Sequence, residues 1–382
     1  MERILRLMAE KKASDLYLSA NAPAMIKING QTIPINNQVM PPDEPLRLMA
    51  EFLPNSRIAE LRETGELNMA IPLEGVGNFR FSAMRQRGTY AVVVRYVPIQ
   101  VPKLDSLNLP PILSDLVMEK RGLVLMVGST GAGKTTTLAS MLDYRNENAT
   151  GHILTVEDPI EYVFTNKKSV INQREIGTDT ASLQIGLKNA MSQAPDVILI
   201  SEIRDRETMS AAISYALSGH LCLATLHASN SYHALNRVLS FYPVEVRSTM
   251  LGDLSAALRA IVSQRLLRTQ SGGRVPAAEV MLNTALVSDL LQKGNLSGVR
   301  EAMEKSIAVG SQSFEQDLSR LVREGIVARS EGLAHADSPN NLMWQLQNDF
   351  NQAKPHATSL QVEEDQSNAA TFTEFTLDVK PS

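Results

Sequence analysis

Lys134 and Thr135 close the run Gly128-Ser129-Thr130-Gly131-Ala132-Gly133-Lys134-Thr135, which has the spacing G-x-x-x-x-G-K-[ST]. These residue types in this order build a cradle for phosphate. The glycines let the backbone turn sharply and aim its N–H groups inward at phosphate oxygens. Lys134 then reaches the β- and γ-phosphates, and the Thr135 hydroxyl can ligate Mg²⁺. The apolar stretch Gly122–Val127 ahead of the loop reads as a buried strand. A helix beginning near Thr135, with Thr136 in its first turn, adds its positive end to the same anion site. A glycine-rich turn can be no more than a turn; strand, loop and helix in succession separate the two readings.

Phosphate transfer also needs carboxylates, one to organise the metal and one to orient or deprotonate the attacking water. Two acidic clusters follow apolar strand candidates, where open α/β sheets place their ligands. One is Val156-Glu157-Asp158-Pro159-Ile160-Glu161; the other runs from Val197 through Glu202 and Arg204 to Asp205. The second has the form of a Walker B strand, with Glu202 where Asp is more usual. His220 and His227 bracket the next apolar strand and could sense a γ-phosphate. Either histidine alone could be a structural residue, and a lone acid at a strand end could be solvated surface. No Cys or His companion has the spacing of a metal ligand set.

The chain must supply elements to hold these groups, and its 382 residues leave room for two domains and a tail. Its 43% apolar content suits real cores, and a net charge of −4 gives no bulk attraction for nucleic acid. No basic stripe with interleaved aromatics is present either, so nucleic acid is not an expected partner. The single cysteine, Cys222, rules out an internal disulfide framework and reads as a buried thiol. No apolar stretch reaches the about 18 residues of a membrane span. Met1–Met8 is too charged and too short for a secretory signal, so a cytoplasmic chain is expected.

Residues 1–98 read as a small α+β domain. Its expected parts are an amphipathic helix at 1–11, strands at 15–18, 25–28, 31–35, 78–84 and 90–97, and helical pieces at 42–52 and 56–63. Asn29-Gly30 marks a hairpin, and Pro34 pushes its strand to an edge. A proline-bearing segment, 99–111, reads as a semi-rigid linker. Residues 112–335 alternate strands and helices, the pattern of a largely parallel sheet covered on both faces. Within them 251–268 reads as helical, and 285–323 as several short helices. Residues 336–382 carry seven acidic residues against two lysines, a net −5, and read as an acidic, disordered tail. The competing reading is a partner-docking helix around Trp344, where Leu342, Leu346 and Phe350 keep helical spacing.

Gly128–Thr135, Val156–Glu161, Asp196–Glu202 and Gly219–His227 together resemble the Walker A, Asp box, Walker B and His box of the secretion-ATPase superfamily. The similarity is closest to the type IV pilus retraction (twitching motility) ATPases. It extends over about residues 1–335 and includes Phe79-Arg80-Phe81 and Val94-Arg95-Tyr96. The resemblance implies a PAS-like N-terminal domain, a RecA-like P-loop ATPase domain and a homohexameric ring with ATP between the domains. It further implies that Glu202 is the catalytic carboxylate, that Glu161 and Glu157 organise Mg²⁺ and water beside Asp158, and that His220 and His227 report the γ-phosphate. Arg80 and Arg95 match arginine fingers supplied by the N-terminal domain. The implied partners are a companion retraction ATPase and an inner-membrane pilus platform protein.

Two departures stand out. Better-known retraction motors carry Ala-Ile-Arg-Asn-Leu-Ile where this chain has Ala285-Leu-Val-Ser288-Asp289-Leu-Leu291, and they lack the acidic extension past 335. Both features resemble the paralogous subgroup called PilU, an accessory motor. A four-cysteine zinc element typical of extension motors cannot be built from one cysteine. Two readings therefore stand: an Mg-ATP-hydrolysing motor for pilus retraction, or an ATP-binding ring that mainly docks on a companion motor.

Overall fold

The structure is a computed structural model that describes residues 1–28, 30–97, 101–305 and 308–352. Among these residues the chain forms two sheets, each with its own apolar core.

The first domain opens with α1 (Glu2–Glu10), whose Leu5 and Met8 are buried while Arg3 and Arg6 face water. It continues through β1 (Asp15–Ser19), β2 (Pro23–Ile28), β3 (Gln31–Val39), α2 (Glu44–Ala50) and α3 (Asn55–Thr64). The strands β4 (Glu66–Leu73), β5 (Gly77–Gln86) and β6 (Thr89–Val97) complete it. The sheet is antiparallel in the order β3-β2-β1-β6-β5-β4. Asn29 lies outside the described residues, but Ile28 pairs with Gln31 and Gly30 takes φ +84°, as a tight hairpin requires. Pro34 sits in an edge strand, where no neighbour needs its missing N–H. Strand β4 escaped the sequence reading. It is the other edge, where Leu67, Met69, Ile71 and Leu73 alternate toward the core, a period of two that Pro72 disguises.

Side chains alternate across β5, which gives the sheet two different faces. Phe79 and Phe81 are buried under α1–α3, in one cluster with Leu5, Met49 and Leu61. Arg80 lies opposite Arg95, and Arg95 opposite Asp15, so a charged row crosses the other face.

Residues 99 and 100 of the expected linker, with residue 98 before them, lie outside those described. The rest is less free than its prolines suggest. Leu104–Leu107 forms a 3₁₀ turn, and Leu104 packs with Leu113, Met141 and Leu142 in the core of the second domain.

The second domain contains α4 (Ile112–Met118), β7 (Gly122–Val127), α5 (Lys134–Asn148), β8 (Gly151–Glu157), β9 (Ser169–Glu175) and α6 (Leu183–Ala190). Next come β10 (Val197–Ile200), α7 (Arg206–Leu217), β11 (Leu221–Leu226), α8 (Ser231–Ser240) and α9 (Arg247–Ala257). After β12 (Leu258–Arg268) and β13 (Arg274–Leu282) follow α10 (Ala285–Gln292), α11 (Leu296–Glu304), α12 (Phe314–Arg323), α13 (Arg329–His335) and α14 (Pro339–Gln352). The sheet order is β13-β12-β7-β11-β10-β8-β9, parallel except for β13 at one edge. Every residue of β7, β10 and β11 is buried, as in a sheet covered on both faces. The two faces build separate cores, one around Leu123, Leu125 and Ile200 and the other around Val124, Met126 and Leu199.

Two expectations are corrected. The helix expected over 251–268 ends at Ala257, and Leu258–Arg268 is a strand. Strand β12 is buried on both faces between β7 and β13, so its apolar and polar residues do not alternate and a helix fits the stretch as well. The second correction concerns the tail. Within the expected disordered stretch, Pro339–Gln352 is helical, and Leu342 and Leu346 are buried against Phe314, Leu318 and Leu321 of α12. The fold therefore continues past 335. The tail proper, 353–382, lies outside the described residues, as does the side chain of Phe350.

Candidate nucleotide-binding site

The loop between β7 and α5 is shaped by three glycines with positive φ: Gly128 (+154°), Gly131 (+80°) and Gly133 (+90°). A side chain at Gly128 would come within 2.6 Å of the Gln264 carbonyl, and one at Gly133 within 2.7 Å of Gln264 Nε2. Gln264, buried in β12, is thus the floor of the loop. Its Nε2 donates to the Ala132 carbonyl (2.8 Å), and its Oε1 accepts from the Thr137 hydroxyl (2.7 Å). Ser129, Thr130 and Gly131 form the exposed crest. The first amides of α5 have no acceptor inside the helix, so they remain available to an anion. Lys134 Nζ donates to the carbonyls of Gly128 (2.8 Å) and Ser129 (2.9 Å). Burial lowers the Lys134 pKa, while Glu202 and Glu161 pull it back up.

Glu202 sits just past the end of β10, beside this loop. Its Oε2 accepts from both Nε and Nη2 of Arg204, each at 2.8 Å, and its Oε1 lies 3.3 Å from His227 Nε2. The other ring nitrogen of His227 is 3.3 Å from the Gly128 carbonyl. The imidazole therefore bridges the acid of one strand end to the loop of another. Arg204 also reaches Asp158 at 3.6 Å. The Thr225 hydroxyl donates to the Ser201 carbonyl and Ile203 N–H donates to the Thr225 carbonyl (2.8 Å), fixing the turn that carries Glu202.

The Asp box follows β8. Glu157 is buried, and burial raises its pKa, opposed by hydrogen bonds from Thr155 (2.6 Å) and Gln173 (3.1 Å). Glu161 is half-buried and lies in the fields of Lys134, Arg80 and Glu157. The hydroxyls of Thr136 and Tyr162 lie 3.0 Å apart, tying α5 to the same loop.

Strand β9 underlies this loop, and the sequence reading did not anticipate it. Gln173 accepts from Phe164 N–H (2.9 Å) and donates to the Tyr162 carbonyl (2.8 Å), and Glu175 accepts from Ile160 N–H (3.0 Å). Glu175 also pairs with Arg80, so the first domain's open face meets the second domain here. The only hint in the sequence was the pair Val170-Ile171, too short to set a period.

The expected site residues thus divide. Lys134, Glu202, His227, Glu161, Glu157, Asp158 and Arg80 are brought together. Arg95 is not: it is 62% exposed and bound to Asp15 Oδ1 at 3.0 Å within its own domain. His220 is a correction. It immediately precedes β11 while His227 follows its end, about 20 Å away at the usual rise per strand residue. Its Nδ1 lies against Ser218 Oγ (3.1 Å) and the Tyr215 carbonyl (3.2 Å), and its ring meets Tyr215 edge-on. Within one chain it caps a helix end and cannot report a γ-phosphate on the loop. Strand parity was no guide, because the two histidines flank opposite ends of one buried strand.

The donor set suits a magnesium–nucleotide complex. Glu157, Asp158, Glu161, Glu175 and Glu202 share the cleft with the cations Lys134, Arg80 and Arg204. A triphosphate entering that excess of negative charge needs a divalent cation beside it. Among the described residues no three His, Cys, Asp or Glu side chains converge as a closed metal cage. Mg²⁺ held by one or two protein oxygens, phosphate and water needs none.

A parallel sheet with a Walker loop after β7, and carboxylates from the ends of the paired strands β10 and β8, defines a RecA-like P-loop ATPase carrying an N-terminal domain. The model of the family "Type II/IV secretion system protein" matches residues 1–317, and the chain belongs to that family. It is 42% identical over 360 residues to the type IV pilus ATPase PilU of Pseudomonas aeruginosa, covering 94% of each chain. Identity to the type IV pilus retractation ATPase PilT of the same organism is 34% over 338 residues, covering 88% of this chain and 98% of that one. A crystal structure of the pilus retraction motor PilT with bound ADP superposes with a TM-score of 0.81 at 35% identity, covering 89% and 99%. The Legionella pneumophila ATPase DotB superposes at 0.77 with 27% identity, covering 87% and 94%. This chain is a PilU-like ATPase of the family. No helix among the described residues is long and apolar enough to cross a membrane.

Proposed function

We propose that the chain hydrolyses Mg-ATP to drive type IV pilus retraction in twitching motility, as an accessory motor assembled into a homohexamer. The observation that carries this reading is the line from Glu202 through His227 to the Gly128 carbonyl. It joins a potential base to the phosphate loop without an intervening gap. In this reading Lys134 and the loop amides bind the β- and γ-phosphates, and Glu202 orients the attacking water and holds its proton. Thr135 and Glu161 would hold Mg²⁺, which supplies neutralisation of charge on the phosphate oxygens. His227 keeps Glu202 in register with the loop. Arg80, brought by the other domain, places a guanidinium where phosphate charge develops. The ring works in the cytoplasm and pulls on an inner-membrane pilus platform protein, beside a companion retraction ATPase.

Phosphate release by the purified full-length chain tests the chemistry. Glu202→Gln should bind ATP normally yet lose hydrolysis, and equal release by both proteins would end this assignment. Light scattering with nucleotide should return six copies per particle; a monomer throughout would remove the ring.

The second reading, a ring that binds ATP chiefly to dock on a companion motor, is favoured by one observation. Helix α10 carries Ser288 and Asp289 where the better-known motors have Arg and Asn, and Leu286 stands exposed beside them. Co-purification with a companion motor discriminates. Docking retained by Glu202→Gln, with normal motility, would favour that reading.

A further inference from the structure

We propose that Glu175 is a positioning residue: it holds the Arg80 guanidinium against the Asp box loop and so sets how readily Arg80 is released to a triphosphate. The proposal rests on the nucleotide reading above and names a residue that reading does not use.

Glu175 is held from several sides. One carboxylate oxygen accepts both from Arg80 and from Ile160 N–H (3.0 Å), and the other accepts from the Thr178 hydroxyl (3.3 Å). Its own N–H donates to Asp179 Oδ2 (2.8 Å), and its carbonyl accepts from the amides of Thr178, Asp179 and Thr180 in the turn that follows. A carboxylate fixed in this way stays where it is when its partner moves. Two residues earlier on the same face, Gln173 grips Glu157, Tyr162 and Phe164. Edge strand β9 is therefore a platform for the Asp box, and Glu175 is the point where that platform touches the other domain.

The pair is shielded, with side chains 17% and 18% exposed. A guanidinium in such a place needs an anion near it at all times, because leaving it unpaired is costly. The alternatives within its field are Glu161, Glu157 and an incoming phosphate. Phosphate matches the guanidinium fork as well as a carboxylate does. Glu175 and the γ-phosphate thus compete for one cation. The bound pair acts as a tax on triphosphate binding, and ADP, which has no γ-phosphate to offer, does not contend with it.

Glu175→Gln removes the charge yet keeps a carbonyl oxygen for Ile160 N–H, while Glu175→Asp keeps the charge on a shorter stem. Dissociation constants are measured on the full-length chain with Mg²⁺, using ADP and a non-hydrolysable ATP analogue. Glu175→Gln should tighten the ATP analogue by about fivefold and leave ADP within about twofold. Glu175→Asp should return the preference toward wild type. In an Arg80→Ala background Glu175→Gln should change neither constant. An equal shift for both nucleotides, a shift that persists without Arg80, or Asp behaving like Gln would each overturn the proposal. Failure of the underlying reading looks different: wild type would bind neither nucleotide, or Lys134→Ala would bind both as wild type does.

Discussion

A general base is effective only when its orientation is held, and Glu202, the base we propose, is held at both oxygens, by Arg204 on one and His227 on the other. Replacing Glu202 by Gln keeps the shape and removes the basicity. Hydrolysis should fall by about 10²-fold or more with nucleotide affinity little changed, read by steady-state release and by titration. The residue beneath the loop is as exacting. Gln264→Ala would leave the buried Ala132 carbonyl and Thr137 hydroxyl without their partner. The expected cost is about 1–3 kcal/mol in denaturant unfolding, together with weaker nucleotide binding. Gly133→Ala should be no milder, because the loop needs φ +90° there and the new methyl would meet the Gln264 amide.

The P-loop, Asp box and Walker B segments were legible at the scale of elements, because each joins a short buried strand to polar residues of distinctive type. What escaped was the support. Strand β9 carries mostly polar side chains, strand β4 is interrupted by Pro72, and both lie at a sheet edge. Strand β12 has apolar residues on both faces and so no period of two. Helix α14 was concealed differently, its two anchors Leu342 and Leu346 standing inside a polar, acidic context. Leu342→Ala should lower stability by about 2–5 kcal/mol, seen as an earlier thermal transition of the second domain. Truncation after Gln352 should leave that transition in place. A tail beginning at 336 would predict no effect of the leucine substitution.

The molecule as a whole stores several carboxyl groups away from water. Glu279, on β13, accepts from Ser231 N–H (2.7 Å) and from the hydroxyls of Ser231 (2.5 Å) and Ser263 (2.9 Å), yet burial still raises its pKa. Glu157 and Asp317 are shifted the same way by the same cause. A carboxyl that keeps its proton longer in the folded chain than in the unfolded one makes stability fall as pH rises. The fall starts near the ordinary carboxylate value and ends once the folded groups have also ionised. Glu279→Gln should therefore gain on wild type between about pH 5 and about pH 8, tested by denaturation midpoints at both. Wild type matching the variant at both values would exclude a raised Glu279.

The chain by itself determined that phosphate chemistry happens here, since a Walker loop works through backbone amides and one lysine that are contiguous in sequence. It also determined which acids could serve, because buried parallel strands announce where they end. Only tertiary structure decided which of the candidates meet. Arg80 and Arg95 read alike, each in an alternating strand. The packing of two domains carries Arg80 to Glu175 and leaves Arg95 with Asp15. His220 and His227 read alike too, but one buried strand holds them apart. Contacts between elements far apart along the chain depend on how sheets and domains stack, and no local spacing records that.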